Sequence, residues 1–323
     1  MQIFRPRLLI AGASLLIASH SMLAYADIFV SSEKDNSILQ LDSDGKVIRS
    51  IPVCKRPRHM AWAQDEKQIM TACGDSDEIG VVDVAAGKLI DKIPTGESPE
   101  IFDLSPDGKT AYVSIEDDNL LAAYDVASKK QLFTAKTGAE PEGVLATRDG
   151  KWVFVTSEVA NSVYKVDVAT RKSVGQVKTG MRPRRFAISP DVSELWVTNE
   201  MGASVSIIDT ATMKINQTLK FEIKGMRSND ITPVGMVMTP DGKTVWVALG
   251  RANHVAEVDV ATRKVRGLAL VGKRAWGLAL SKDGTRLYVA NGQSDDMTII
   301  DTSNRKALKT VPVGREPHSI LSN

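Results

Sequence analysis

The chain is poor in the features that mark several common protein classes. Its 323 residues include only two cysteines, too few for a disulfide-dense scaffold or for a cysteine-rich metal or iron–sulfur site. The formal net charge of +2, with 25% charged residues, gives no bulk attraction to nucleic acid, membrane surfaces or acidic polymers. Beyond the N-terminal segment, no apolar run approaches the roughly 20 residues that a membrane-spanning helix needs. We therefore expect a soluble protein without a membrane span and without a nucleic acid partner.

The first 26 residues have the pattern of a secretory signal peptide. Arg5 and Arg7 precede an apolar stretch from Leu8 to Ile17, and a small-residue site follows at Ala24-Tyr25-Ala26. This pattern predicts cleavage near Ala26, a mature chain of residues 27–323, and a periplasmic or secreted location.

A repeat of about 42 residues runs through the mature chain. The string DVATRK occurs at 167–172 and again at 259–264, and variants of it occur elsewhere. Its leading residues form one column, Asp42, Asp83, Asp125, Asp167, Asp209, Asp259 and Asp301. A second column lies in turns such as SPDGKT at 105–110, at Asp65, Asp107, Asp149, Asp191, Asp241 and Asp283. Both columns step by 41 or 42 residues except once by 50, which indicates seven units and one eight-residue insertion within about 221–232.

Each unit has the pattern of four short β-strands. The strings LYVAN at 287–291 and LWVTN at 195–199 are rich in aromatic and β-branched residues, and turn residues separate such runs. Four antiparallel strands per unit, without an amphipathic helical stretch, predict an all-β, seven-bladed β-propeller as a single domain over 27–323. The last unit stops after one strand, whereas the mature chain begins with a strand at 28–31. The N- and C-terminal strands are therefore expected to share one blade and close the ring.

The repeat also resembles a known family. The Tyr-Val-x-Asn strand, the Val-Ile-Asp strand and the Gly-x-x-Pro segment leading to Ser-Pro-Asp-Gly resemble the YVTN-type β-propeller repeats over essentially all of residues 28–321. More narrowly, the signal peptide, the length and the number of repeats resemble the bacterial β-propeller proteins associated with PQQ-dependent alcohol catabolism. That narrower resemblance implies an accessory protein and supplies no catalytic motif.

Two columns bear on packing. The first-strand column of large side chains should fill the space between blades rather than stack a ligand, and it comprises Phe29, Met70, Tyr112, Phe154, Trp196, Trp246 and Tyr288. Cys54 and Cys73 replace the usual residues of two other columns, and the hairpin near Gln64 to Lys67 brings both to one face of the same blade. We predict a disulfide between them, and the alternative is two independent small hydrophobic residues.

The residues that follow the Gly-x-x-Pro position are expected to ring the mouth of the central channel. They vary between blades that are otherwise alike, which favours a binding role. The predicted ligand-binding residues are Arg58, His59, Glu100, Glu142, Arg184, Arg185, Trp276 and His318. Their arginines would clamp a carboxylate or another planar anion. The alternative is a solvated rim of ion pairs with Glu100, Glu142 and Glu316, each pair worth under about 1 kcal/mol.

Cofactor chemistry has little support in the sequence. His59 and His318 begin inner strands of adjacent blades, but two imidazoles without a third ligand make a weak metal site. We therefore predict no metal and no other cofactor. The insertion carries Met226 and Arg227 and is a candidate lid or partner contact.

No nucleophile elbow, zinc motif, phosphate loop or spaced pair of catalytic carboxylates is present. We predict a non-enzymatic periplasmic propeller that binds a small anionic molecule or a periplasmic protein partner, and the family resemblance implies a role in PQQ-dependent alcohol catabolism. Two alternatives stay open. One is a propeller enzyme, lactonase-like or cofactor-maturing, that uses the channel mouth, and the other is a structural surface protein.

Overall fold

The computed structural model describes residues 27–323, and the predicted signal peptide at 1–26 lies outside the described residues. The described chain forms seven four-stranded antiparallel sheets and one single-turn 3-10 helix, Ser228–Asp230. No helix within 27–323 has both the length and the apolar character needed to cross a bilayer. The sheets are numbered here as blades 1 to 7, each written from its innermost to its outermost strand.

Blade 1 consists of β28 (Pro317–Ser322), β1 (Ile28–Ser32), β2 (Ser37–Leu41) and β3 (Val47–Pro52). Blade 2 consists of β4 (Pro57–Ala63), β5 (Gln68–Cys73), β6 (Glu78–Asp83) and β7 (Lys88–Pro94). Blade 3 consists of β8 (Pro99–Leu104), β9 (Thr110–Ile115), β10 (Leu120–Asp125) and β11 (Gln131–Lys136). Blade 4 consists of β12 (Pro141–Ala146), β13 (Trp152–Ser157), β14 (Ser162–Asp167) and β15 (Lys172–Lys178). Blade 5 consists of β16 (Pro183–Ile188), β17 (Glu194–Asn199), β18 (Ser204–Asp209) and β19 (Lys214–Lys220). Blade 6 consists of β20 (Pro233–Met238), β21 (Thr244–Leu249), β22 (His254–Asp259) and β23 (Lys264–Leu270). Blade 7 consists of β24 (Ala275–Leu280), β25 (Arg286–Asn291), β26 (Asp296–Asp301) and β27 (Lys306–Pro312).

The blades form a closed ring. The innermost strands contact one another in a complete cycle, from β4 through β8, β12, β16, β20, β24 and β28 back to β4. Blade 1 takes its inner strand from the C-terminus: Ile28 of β1 pairs with Ser322 of β28, and Asp27 N donates to Asn323 Oδ1 at 2.7 Å. The predicted seven-bladed architecture and the sharing of one blade by the two ends are therefore confirmed.

Burial is greatest at the second strand of each blade and least at the outermost strand. The second strand of each blade is buried almost throughout, because neighbouring blades cover both of its faces, whereas the outermost strand is mostly exposed. The predicted packing column is at most 3% exposed at every position, as expected for side chains between twisted sheets, and comprises Phe29, Met70, Tyr112, Phe154, Trp196, Trp246 and Tyr288.

The repeated Asp at the end of the third strand stabilises the turn that follows it. Asp83 Oδ1 accepts the N–H of Ala86 at 2.6 Å, and Asp167 Oδ1 accepts that of Thr170 at 2.9 Å. A short acidic side chain that binds a backbone N–H two or three residues ahead favours a tight turn. This turn returns each blade to its outermost strand.

Candidate functional site

A β-bulge in every innermost strand positions the predicted site residues. The pairing with the second strand shifts register between Pro57 and Met60 in blade 2, and it shifts at the equivalent point in the other six blades. A bulge inserts an unpaired residue and re-aims the side chains beside it. The residues at these bulges include all of the predicted ligand-binding set, Arg58, His59, Glu100, Glu142, Arg184, Arg185, Trp276 and His318.

The first charged group lies between blades 2 and 3 and is centred on Glu100. Arg56 Nη2 lies 3.0 Å from Glu100 Oε1, and Arg58 Nη1 donates to Glu100 Oε2. Arg58 Nε also lies 3.4 Å from Glu33 Oε1. The carboxylate of Glu100 therefore contacts two arginines at once, away from bulk water, since Glu100 is only 1% exposed.

The second charged group joins blades 4 and 5 around Arg184. Arg184 Nη2 lies 3.3 Å from Glu142 Oε1, its Nη1 donates to Glu158 Oε1, and its Nε lies 3.8 Å from Glu200 Oε2. Arg185 Nη1 donates to Glu142 Oε1 at 2.6 Å. We call the two groups together the mouth network, and its members are Arg56, Arg58, Arg182, Arg184, Arg185 and Arg274 with Glu33, Glu100, Glu142, Glu158 and Glu200.

The solvated-rim alternative is wrong for the two glutamates closest to the axis. Glu100 and Glu142 are 1% and 3% exposed, so their ion pairs are buried. Only Glu316 fits that description, because its side chain is half exposed and lies 3.7 Å from Lys34 Nζ. Breaking a buried pair leaves an uncompensated charge without water, which costs several times more than losing a surface pair.

Sequence reasoning missed the glutamates that bind these arginines. Glu158 and Glu200 follow the last residue of the second strand, and Glu33 and Glu116 occupy the same position in two other blades. The remaining three blades have glycine there, at Gly74, Gly250 and Gly292. A search for acidic residues at the 42-residue spacing would have found this column before the structure was known.

Burial and the opposing arginines act against each other on Glu142. Burial alone would raise the pKa of Glu142, but Arg184, Arg185 and Arg58 outweigh it and lower that pKa to about 2. Burial lowers the pKa of Arg185 to about 10, and the neighbouring Arg184 adds to this effect. Both groups are therefore charged at neutral pH.

The central channel contains a cavity of about 290 Å³, which we call the channel cavity. His59, Arg185, Trp276 and His318 line it at its charged end, and the remaining wall is largely apolar. One acidic side chain, Asp103, also lines the cavity and was not predicted from the sequence. This size and this mixture of apolar wall with a few polar groups are typical of small-molecule sites.

A second cavity of about 300 Å³, the mouth cavity, lies beside Gly292. A Cβ at Gly292 would meet no atom closer than 3.4 Å, so the missing glutamate side chain leaves open space there. Arg58 and Glu33 line this cavity, and Trp276 and His318 line both cavities. These last two side chains therefore separate the mouth cavity from the channel cavity.

Trp276 and His318 have unused polar atoms among the residues that the structure describes. Trp276 Nε1 and His318 Nδ1 are buried without a hydrogen-bond partner. The Trp276 ring lies 5.5 Å from that of His318, and the guanidinium of Arg274 lies 4.7 Å from its centroid. Burial lowers the pKa of His318 well below its usual value, and Arg58 and Arg185 add to this effect. His318 is therefore neutral at pH 7.

His59 lies on the same cavity wall, on the strand next to that of His318. Burial and the nearby Arg185 lower the pKa of His59 to about 3, so its imidazole is also neutral. No cluster of three or more His, Cys, Asp or Glu side chains suited to a metal ion occurs within residues 27–323. The absence of a cofactor stays a prediction.

Cys54 and Cys73 are joined by a disulfide in the structure, with Cα atoms 5.7 Å apart. Cys54 precedes the inner strand of blade 2 and Cys73 ends its second strand, so the bond fixes the loop that carries Arg56. Both cysteines are at most 7% exposed. The oxidation state of this pair in the cell stays a prediction.

The insertion lies between β19 and β20, on the loop that enters the inner strand of blade 6. Phe221 and Ile231 at its ends are buried, and Arg227 between them is 87% exposed. Thr232 Oγ1 lies 3.5 Å from Arg274 Nη1, so the end of the insertion contacts the mouth network. Its role as a lid or partner contact stays a prediction.

Solved structures from several organisms share this fold. Hydrazine synthase of Kuenenia stuttgartiensis is 24% identical, with a TM-score of 0.78 over 85% of this chain and 92% of that one. A Bacteroides uniformis protein provisionally assigned as a 6-phosphogluconolactonase is 13% identical, with a TM-score of 0.77 over 93% and 99%. The dihydro-heme d1 dehydrogenase NirN, solved in complex with DHE, is 14% identical, with a TM-score of 0.68 over 91% and 74%. At these identities the likeness shows the fold alone.

A search of the curated proteins found no match. The family model of the YNCE-like β-propellers matches residues 92–280, which is more than half of the chain and runs from blade 2 into blade 7. The chain therefore belongs to the YNCE-like β-propeller family.

Proposed function

We propose that this protein is a non-enzymatic, exported binding protein that holds a small carboxylate in its channel cavity. The observation that carries the proposal is Arg185, a buried guanidinium on the cavity wall whose partner carboxylate is Glu142. Its Nη2 lies 3.4 Å from His318 Nε2. Because a guanidinium group has five N–H donors, the contacts with Glu142 and His318 leave other N–H groups to bind a ligand. Guanidinium groups bind carboxylates with planar, paired hydrogen bonds.

The other arginines of the mouth network are poor candidates for this role. Arg58 and Arg184 contact Glu33, Glu100, Glu142 and Glu158, which neutralise most of their charge. A ligand at the channel therefore binds through the placement of Arg185 rather than through a large positive potential. The imidazole of His318, whose Nε2 lies 3.4 Å from Arg185 Nη2, is a further polar group on the same wall.

The cellular role proposed here follows from the repeat resemblance. A signal peptide and a PQQ-associated type of propeller suggest a periplasmic accessory of alcohol oxidation, acting through a small molecule or a periplasmic protein. Oxidation of a primary alcohol through the aldehyde ends in a carboxylate, which is the class of ligand that Arg185 would hold. Carboxylates of this kind are therefore the first probes to test.

The experiment is isothermal titration calorimetry of the purified protein with sodium hexanoate. Arg185→Gln is expected to weaken binding at least about tenfold, because it removes the charge that faces the cavity. The matched control is Arg182→Gln, which alters the same network at its 47% exposed edge and is expected to bind as the unmodified protein does. Equal affinity of Arg185→Gln and the unmodified protein would contradict the proposal.

A propeller enzyme is the second candidate, and it is favoured by one finding. NirN, which shares this fold, was solved in complex with DHE, and the Bacteroides uniformis protein is provisionally assigned a lactonase activity. Turnover of lactones by the purified protein, measured beside the titration, separates this candidate from a binding protein. A structural surface protein would show neither turnover nor a thermal shift with any carboxylate.

A further inference from the structure

Asp103 is the one charged residue at its position along the seven inner strands. It is the fourth residue after the proline that begins β8, and the equivalent positions of the other blades are all apolar, at Ala61, Leu145, Ala187, Val237, Ala279 and Leu321. The side chain lines the channel cavity. Burying a charge without a partner is costly, so a carboxylate at a position that is apolar in the other six blades indicates a function.

The contacts of Asp103 account for only part of its hydrogen-bonding capacity. Asp103 Oδ2 accepts the N–H of Ala146 at 2.8 Å, and Oδ1 accepts that of Leu104 at 2.8 Å. No Lys, Arg or His of residues 27–323 forms an ion pair with it. Each carboxylate oxygen has a second acceptor site, and the negative charge has no positive partner in the chain.

The backbone contacts do not require a negative charge. An asparagine at this position keeps one oxygen that accepts the N–H of Ala146, which ties β8 to the neighbouring inner strand β12. The feature of Asp103 that packing leaves unexplained is therefore its charge. Burial raises the pKa of Asp103 to about 6, so the group still ionises at neutral pH.

Arg185 and Asp103 face one cavity from two levels. Arg185 is the second residue after the proline of β16 and Asp103 the fourth after that of β8, so they differ by two residues along the channel. At about 3.3 Å per residue, this offset is about 7 Å along the axis. The wall between the two levels is apolar, and its side chains include Phe102, Phe186, Met236 and Leu278.

We propose that the channel ligand is an amino carboxylate, whose carboxylate contacts Arg185 and whose ammonium group contacts Asp103. A short hydrocarbon chain between the two charges would lie along the apolar wall. This inference rests on the proposed function for the Arg185 end, and it adds the second contact that selects among carboxylates. Charged hydrogen bonds in a desolvated cavity are strong enough to give such selection.

The test compares three probes by isothermal titration calorimetry: 6-aminohexanoate, hexanoate and hexylammonium. The unmodified protein is expected to bind 6-aminohexanoate at least about tenfold more tightly than hexanoate. Asp103→Asn is expected to lose this preference and to bind the two acids alike. The control is Asp117→Asn, which neutralises an exposed carboxylate and is expected to keep the preference.

The outcomes separate the two proposals. Hexanoate binding without a preference for 6-aminohexanoate, or a preference that survives Asp103→Asn, overturns the amino carboxylate and leaves the carboxylate-binding function in place. Failure of both acids to bind overturns both proposals, as does binding of hexylammonium alone. A thermal unfolding curve for Asp103→Asn shows that any loss of binding occurs in a folded protein.

Discussion

At the scale of single residues, the channel combines neutralised charges with one uncompensated charge. Glu142 lies among three arginines and is held ionised, with its pKa lowered to about 2 despite burial. Asp103 has no such partners, and burial raises its pKa to about 6. The difference between these two carboxyl groups follows from their neighbours, since both lie on inner strands of adjacent blades.

The raised pKa of Asp103 predicts a pH-dependent stability. The folded protein holds this proton up to about pH 6, whereas an unfolded Asp loses it near pH 3.8, so ionisation between these values costs folding free energy. Asp103→Asn is therefore expected to gain stability relative to the unmodified protein as the pH rises from 4 to 7, by roughly 2 kcal/mol. Urea unfolding of both proteins at several pH values measures this difference.

The two buried histidines, His59 and His318, do not change the difference in stability between Asp103→Asn and the unmodified protein. Their lowered pKa values destabilise the fold as the pH falls below about 6.5, but both proteins carry them and the effect cancels in the difference. A difference that stays constant from pH 4 to 7 would show that the carboxyl group of Asp103 titrates normally. A variant that is more stable and binds less well is the pattern expected of a functional residue.

At the scale of elements, the inner strand and the loop before it place the site. In blade 2 the bulge lies at Arg58 and His59, and the loop before this blade brings Arg56 to Glu100. Cys54 lies in that loop, and its disulfide to Cys73 ties the loop to the second strand of the same blade. The disulfide therefore holds in place the loop whose Arg56 belongs to the mouth network.

The disulfide predicts a measurable loss of stability on reduction. Its two cysteines are 19 residues apart, and closing a loop of this length stabilises a fold by about 3 kcal/mol in the chain-entropy estimate. The unmodified protein is expected to unfold at a lower temperature with dithiothreitol than without it. Calorimetry in both conditions, with thiol counting by mass spectrometry, measures the effect.

The double variant Cys54→Ala, Cys73→Ala is the control for reduction. It is expected to resemble the reduced protein and to show no further response to dithiothreitol. Free thiols in the protein purified without reductant would contradict the disulfide and favour two separate buried cysteines.

At the scale of the whole molecule, the fold depends on closing the ring. Blade 1 is built from both ends of the described chain, and β28 is its inner strand. Loss of β28 would expose the edge of β1 and remove one wall of the channel, including His318. Every other blade also loses the closed circle of neighbours that buries its inner strand.

A truncated protein that ends at residue 314 is therefore expected to lose its cooperative unfolding transition. A circular permutant is the matched control: it joins Asn323 to Asp27, which are hydrogen-bonded neighbours, and opens the chain at the exposed Gly225 in the insertion. The permutant keeps all strand pairs and is expected to unfold in one transition. Cooperative unfolding of the truncated protein would contradict the role assigned to β28.

The fold was predictable from the sequence because each repeat carries the same local information. The Asp columns mark turns whose hydrogen bonds form within a few residues, as between Asp167 and Thr170, so their spacing counts the blades directly. The large side chains of the packing column also follow from alternation along one strand. The positions of the predicted site residues at the mouth followed from the same repeat, since equivalent positions share a level of the ring.

The sequence by itself determined the architecture, the number of blades and the closing blade, because every repeat carries the same pattern of strands and turns and the partial units at the two ends complete one another. Only the tertiary structure decided which charges neutralise one another. Arg184 contacts Glu142 of β12 and Glu158 of the loop after β13, and Arg185 faces the same cavity as Asp103. Such contacts join residues of different blades, and their burial, which sets each pKa, exists only once the ring has closed.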